Sequence, residues 1–241
     1  MSSISTVSDS RATLDRIVQI SKRKTGIQLP VSLIRDPSGK TPLLRLFRGG
    51  QGGEVRLKLY LTLLLLATKS PYKIKRSVPA RVWAEAIGLR DPDGSGKRRV
   101  ADALNWLDEK GFIQLERHAG EPPYIQLLNA ESGGIWKRPS WPYVKLPLNF
   151  WSEYQIHDLS GRGIAVMLAL LELTGGKERS RTQSISNTRS KEYGLSPETM
   201  LRGSNELELR GIIKTNFGVL GEKDLDWRRR RKLYTVMDVP E

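Results

Sequence analysis

Lys97-Arg98-Arg99, followed by Asp102 and Asn105 at helical spacing, are the residues of this sequence best suited to chemistry, and that chemistry is recognition, with no bond made or broken. Arginine carries a planar fork of donors, and an asparagine amide sets a donor beside an acceptor. Those side chains make the bidentate contacts to guanine and adenine edges in a major groove. Ser95, immediately upstream, belongs to the same candidate DNA-contacting set. An ordinary amphipathic helix with a solvated charged face would carry the same charges, so the neighbouring elements decide.

Val100, Ala103, Leu104 and Leu107 follow the i, i+3, i+4, i+7 pattern, which gives this helix a buried stripe opposite Arg98, Asp102 and Asn105, with Arg99 flanking. A shorter helix is expected to open after Pro79, with Val82, Ala86 and Leu89 inward, and to close near Gly88. Asp91-Pro92-Asp93-Gly94 predicts a turn, and Ser95 or Asp93 the cap of the basic helix. Gly111 ends that helix. Phe112, Ile113 and Leu115, then Tyr124, Ile125 and Leu127, supply two strands around a tip that includes His118. Helix, turn, basic helix and hairpin in this order predict a winged helix, with the periodic run Leu57, Tyr60, Leu61, Leu64, Leu65 and Thr68 as its first helix.

The second half repeats the first. Gln28-Leu29-Pro30-Val31 is echoed by Lys145-Leu146-Pro147-Leu148, Ile87-Gly88-Leu89 by Tyr193-Gly194-Leu195, and Gly111-Phe112-Ile113 by Gly211-Ile212-Ile213. Ile164, Met167, Leu168 and Leu171 renew the apolar helix, stopped by Gly175-Gly176, and Ser196-Pro197-Glu198 is a strong helix start. The second long helix offers Glu198, Thr199, Arg202 and Asn205, a less basic face than the first. Its wing compensates with Arg228, Arg229, Arg230, Arg231 and Lys232, which alternation sends to both faces of a strand. Arg189 enlarges the same basic surface, and Lys137 and Arg138 stand among aromatics in a Pro- and Gly-rich stretch. Those aromatics are expected to join two domains, with base stacking as the alternative.

Forty Lys and Arg against twenty-six Asp and Glu give a formal charge of +14, a field that attracts polyanions. With no cysteine, thiol catalysis, disulfides and thiolate metal sites are excluded, and two distant histidines, His118 and His157, argue against zinc. No cofactor is expected. Gly39-Lys40-Thr41 lacks the upstream glycine of a phosphate-binding loop, since Ile34 holds that position. Neither histidine begins a His-x-x-Arg element or a paired-histidine metal site, so recombinase and rolling-circle chemistry are unsupported. Asp91, Asp93, Asp224 and Asp226 read as turn residues. The longest apolar run, Leu59 to Ala67, is too short to span a bilayer, and Met1 to Thr25 has no signal-peptide core, so a cytoplasmic protein without membrane partners is expected.

The expected fold class is α+β, mostly helical, with two winged helices in tandem. Residues 1–26 form a mobile arm with a short helix over Arg11 to Lys24, residues 27–130 the first domain, 131–143 a linker and 144–241 the second domain. Gly49-Gly50-Gln51-Gly52-Gly53 reads as a flexible loop. Two winged helices, a basic linker and no catalytic apparatus resemble the initiator proteins of bacterial plasmid replication and, more broadly, plasmid or phage regulators. The resemblance is one of architecture, covers Ile27 to Val239 and transfers no individual residue. It implies a non-enzymatic protein that grips successive major grooves of double-stranded DNA, represses its own promoter, forms homodimers and meets replication or segregation partners. A dedicated transcriptional regulator, or a segregation protein that uses one winged helix to dock protein, is the alternative.

Overall fold

The computed structural model describes residues 2–48, 51–175, 182–218 and 231–237. The fold is α+β, with helix predominating. In chain order the elements are α1 (Ser2–Ser21), β1 (Ile27–Pro30), α2 (Val31–Ile34), α3 (Pro42–Phe47), α4 (Gln51–Leu66), β2 (Lys73–Ile74), α5 (Ala80–Ala86), a π-helical turn (Pro92–Gly96), α6 (Lys97–Glu109), β3 (Ile113–His118) and β4 (Glu121–Leu127). There follow β5 (Tyr143–Leu146), α7 (Asn149–Ser152), α8 (Gln155–Asp158), α9 (Gly161–Leu173), β6 (Gln183–Ser184), α10 (Asn187–Tyr193), α11 (Pro197–Leu209), β7 (Ile213–Gly218) and β8 (Arg231–Val236). No helix among the described residues is long and apolar enough to cross a membrane.

Two compact units result. The first comprises residues 1–28, 46–139 and 146–161, and the second residues 29–45, 140–145 and 162–241. The expected domains were consecutive, whereas these units interleave: the lead-in to the second repeat belongs to the first unit, and the lead-in to the first repeat belongs to the second. Both lead-ins are apolar and equivalent in the repeat, so their pattern marks them as buried without saying in which core.

In the first unit α4 is buried nearly all round, with Leu57, Leu59, Tyr60, Leu61, Leu63, Leu64 and Leu65 each at most 2% exposed, because α1 and α6 both pack on it. α6 buries the expected stripe of Val100, Ala103, Leu104 and Leu107. In α5 the deep face is Trp83, Ala84 and Ala86, and Val82 is only half-buried, since α1 covers a second side of this short helix. The hairpin β3–β4 takes β2 on its far edge, giving an antiparallel sheet in the order β2-β4-β3.

Several local expectations are corrected. Residues 2–10 are the first half of α1 and not a mobile arm. The helix turns Leu14 and Ile17 into the first unit, where Thr13 donates to Glu85 at 2.9 Å and Asp15 accepts from the Tyr154 hydroxyl at 2.9 Å. Gln51, Gly52 and Gly53 open α4 in place of a loop. Any side chain at Gly53 would collide with the Phe47 carbonyl, because its Cβ would lie 1.9 Å from that oxygen. The cap before α6 is Asp91, whose carboxylate accepts from the Gly94 and Ser95 N–H groups at 3.1 and 2.7 Å. Neither Ser95 nor Asp93 caps α6, because the wider π-helical turn moves the helix start beyond them.

The second unit reproduces this plan, with α9, α10 and α11 followed by an antiparallel sheet in the order β6-β8-β7. α6 and α11, like β3 and β7, begin and end 100 residues apart. Around the buried Glu172 of α9 stand Arg35 at 3.2 Å, Arg189 at 3.9 Å and the Tyr193 hydroxyl, which donates at 2.6 Å. Burial, then this bond to a carboxylate, pushes the Tyr193 phenol upward, so it stays a donor.

His157 is buried in the first unit, and its Nε2–H donates to the Ala86 carbonyl at 2.9 Å. Burial, ahead of all other causes, holds its pKa below the ordinary 6.5. The unfolded chain therefore binds this proton first as pH falls. His157 contributes its stability fully above pH 6.5 and loses it progressively down to its lower folded pKa. The urea midpoint is expected to fall further between about pH 7.5 and about pH 5.5 in the wild type than in His157→Gln. Equal falls would show that the imidazole does not couple to folding.

Candidate nucleic-acid interface

The first turn of α6 holds Lys97, Arg98 and Arg99 and no acidic residue. A helix N-terminus carries the positive end of the backbone dipole, so cations there are disfavoured by about 0.3–1 kcal/mol each unless an anion joins them. Asp91 answers only in part. The hydrogen bond from the Ser95 N–H, then other bonds in the turn and the charge of Lys97, hold its carboxyl below the usual range. Lys97, Arg98, Asp102 and Asn105 are exposed and Arg99 is half-buried, and Arg98, Asp102 and Asn105 share the side opposite the core stripe.

The β3–β4 hairpin completes this face through a residue that sequence reasoning missed. Arg117 lies where the β3–β4 register shifts, between Glu116 and His118, and its Nη2 donates to Asn105 Oδ1 at 2.9 Å. A bulge of this kind re-aims a side chain that strict alternation would place elsewhere. Arginine has no acceptor, so the contact fixes the Asn105 oxygen toward the hairpin and turns its NH₂ donors outward. Asp108 adds a longer ion pair to Arg117 at 3.8 Å. His118 lies at the hairpin tip, beside Glu116 at 3.5 Å and tilted against the Tyr124 ring. Glu116 also pairs with Lys73, which neutralises part of that flank.

In the second unit Arg202 forms a 2.7 Å ion pair with Glu198, and Thr199 is absorbed in the helix cap, its N–H donating to Ser196 Oγ at 3.1 Å. Lys232 reaches Asn205 Oδ1 at 3.5 Å and Ser204 Oγ at 3.3 Å, so this asparagine too is met by a hairpin cation, here from the other strand. Arg231 points away, exposed. Arg228, Arg229 and Arg230 lie outside the described residues, as do Arg179 and Arg181.

Two expected contributors stand elsewhere. Arg189 is drawn into the Glu172 and Glu192 cluster, 3.3 Å from Glu192. Arg138 donates to Gln28, with Lys137 exposed beside it. Their neighbour Trp136 is buried within the first unit, edge-on to Tyr72 at 4.7 Å. A cleft of about 590 Å³ between α1 and Lys73–Val82 contains one carboxylate, Glu85, already bonded to Thr13 and Arg81. Among the described residues no three His, Cys, Asp or Glu side chains could hold a metal ion.

Arg117 is an exposed residue making surface contacts, and such pairs contribute at most about 1 kcal/mol. Arg117→Ala is therefore expected to lower unfolding stability by less than about 1 kcal/mol in a urea titration. A loss several times larger would make Arg117 a structural tether. No protein-family model, curated protein sequence or solved structure matches this chain.

Proposed function

We propose that this chain is a double-stranded DNA-binding protein that recognises a specific site, with each unit a winged helix and α6 the base-reading element. Support for the winged-helix assignment comes from the shared plan: a short helix, a long helix and a hairpin whose second strand is flanked by a strand from before the short helix. The observation that carries the function is the face of α6, where Lys97, Arg98 and Arg99 crowd the positive end of a helix and Asn105 is oriented by Arg117. Phosphates relieve the first arrangement, and the outward amide suits a base edge. The +14 charge of the chain favours the same polyanion. The protein acts as a plasmid or phage replication initiator that also represses, and a gene position beside an array of repeated sites would support initiation over a purely regulatory role.

A protein-docking role for the second unit is favoured by one observation: Leu201, Leu209 and Phe217 are 55%, 90% and 66% exposed on α11 and β7. In the first unit the same positions hold Ala101, Glu109 and Arg117.

Selection from random duplexes is expected to enrich one sequence, and Asn105→Ala to weaken that site by about 1–3 kcal/mol while leaving random DNA nearly unaffected. Failure to enrich any sequence, or equal losses on both duplexes, would remove the base-reading role. Arg231 serves the backbone in this scheme. Arg231→Gln should flatten the slope of log affinity against log salt by about 0.9, and an unchanged slope would leave that side chain in solvent.

A further inference from the structure

The cleft of about 590 Å³ in the first unit lies between α1, α5 and the segment from Lys73 to Pro79, and none of its described lining residues belongs to α6. Pockets that enclose a small molecule span roughly 300–1,000 Å³. The walls are apolar: Ile17 and Ile20 come from α1, Leu66 from the end of α4, Ile74 from β2, and Val82 and Trp83 from α5. Ile17, Ile74 and Trp83 are buried, whereas Ile20 is 37% exposed. Water against such walls finds few partners, so an apolar body that displaces it gains free energy.

The polar lining divides by charge balance. Glu85 accepts from Thr13 Oγ at 2.9 Å and from Arg81 Nε at 3.0 Å, so both of its oxygens are engaged and its charge is matched. Ser77 Oγ donates to the Pro122 carbonyl at 3.0 Å, and Lys73 pairs with Glu116. Arg16 and Arg76 are different. Both line the cleft, both are exposed, and neither guanidinium makes a hydrogen bond or ion pair with a described residue. Each offers an oxyanion a planar fork of donors, the geometry that carboxylate and phosphate match. Since the one acid of the lining is already neutralised, nothing in the cleft selects a cation.

We infer that this cleft binds a small amphiphile with an apolar body and an oxyanion head, a carboxylate or a phosphate monoester. The body lies among Ile17, Ile74, Val82 and Trp83, and Arg16 and Arg76 hold the head. A nucleic-acid backbone would satisfy the arginines and leave the apolar walls in water. A neutral apolar molecule would fill the walls and leave the arginines unused. Only a ligand with both parts uses the whole lining, and the site is independent of base reading by α6.

Calorimetric titration of the full chain with decanoate is expected to saturate at one site per chain, with a negative heat-capacity change from burial of the alkyl chain. Decanol, which lacks the charge, and decyltrimethylammonium, which reverses it, should bind more weakly by about tenfold or more. Arg16→Gln and Arg76→Gln should each weaken decanoate by about tenfold while leaving decanol unchanged. Both side chains are exposed, so the urea midpoint without ligand should not move. Ile20→Glu, which sets an acid among the walls, should weaken decanoate as well. Decyl phosphate compared with decanoate names the preferred head, and saturable binding of either supports the site. Absence of saturable binding by both at millimolar concentration would overturn the inference. So would equal affinity for decanol, or arginine variants that bind decanoate as the wild type does. If the wild type ignores decanoate and the arginine variants lose affinity for random duplex, these cations serve a DNA backbone. If it ignores decanoate and takes an acidic amphipathic peptide, the cleft serves a protein partner. None of these arms measures discrimination between DNA sequences, so their failure is distinct from failure of base reading by α6.

Discussion

A carboxylate in the last turn of each long helix holds the strand that follows, and the placement of both candidate faces depends on that contact. Asp108 accepts from the Leu115 N–H at 3.0 Å, and Glu208 accepts from the Thr215 N–H at the same distance. Between helix and strand the chain reverses at Gly111 and Gly211, with φ of +74° and +70°. A Cβ would meet nothing within 4 Å at either glycine, so backbone conformation alone demands the residue. The N–H of the next residue then bonds back to the helix, Phe112 to Leu107 and Ile212 to Leu207, both at 2.9 Å. With the strand fixed against the helix, a hairpin cation falls over the helix face, Arg117 at Asn105 and Lys232 at Asn205.

This repeated frame is what was legible in the sequence. The glycine pair, the stripe of Val100, Ala103, Leu104 and Leu107, and the Ser196-Pro197 start are short-range signals whose meaning does not depend on distant partners. Positions decided by a partner or by an irregularity were not legible. Trp83 displaces Val82 from the deep face because α5 is covered on two sides. Arg117 escaped notice because alternation breaks at a bulge, and Asp91 replaced Ser95 as the cap because a π-helical turn intervened. The lead-in segments reveal the deepest ambiguity. Trp151 donates to Thr62 at 3.4 Å in the first unit, and the Asp36 N–H to the Glu192 carbonyl at 3.0 Å in the second. Each lead-in thus joins the core of the other repeat, a choice that two equivalent apolar stretches cannot announce.

Basic residues divide into two populations that composition cannot separate. Arg23 donates to the carbonyls of Leu64, Leu65 and Ala67, closing the C-terminal end of α4, where a cation is favoured by the dipole. Lys58 is 3% exposed and pairs with Glu54 at 2.9 Å, and Arg35 and Arg189 neutralise the buried Glu172. These charges hold elements together and contribute to the outward field only weakly. Lys97, Arg98 and Arg231 are instead exposed, as are Lys75, Arg76, Arg90, Lys137 and Arg138.

The starts of the two long helices differ in how well they suit the helix. α11 begins with Ser196 as cap, Pro197 in the first turn and Glu198 beside the positive end of the dipole, so each choice favours the helix. α6 begins with no side-chain cap of its own and three cations at that same end, choices that oppose it. Since the buried stripe and the glycine stop are common to both, the framework did not require the difference. A start that departs from local consistency in one repeat, while its copy is consistent there, accords with the anionic ligand proposed for α6. α11, satisfied at its start by Ser196 and Glu198, has no such penalty for an anion to relieve.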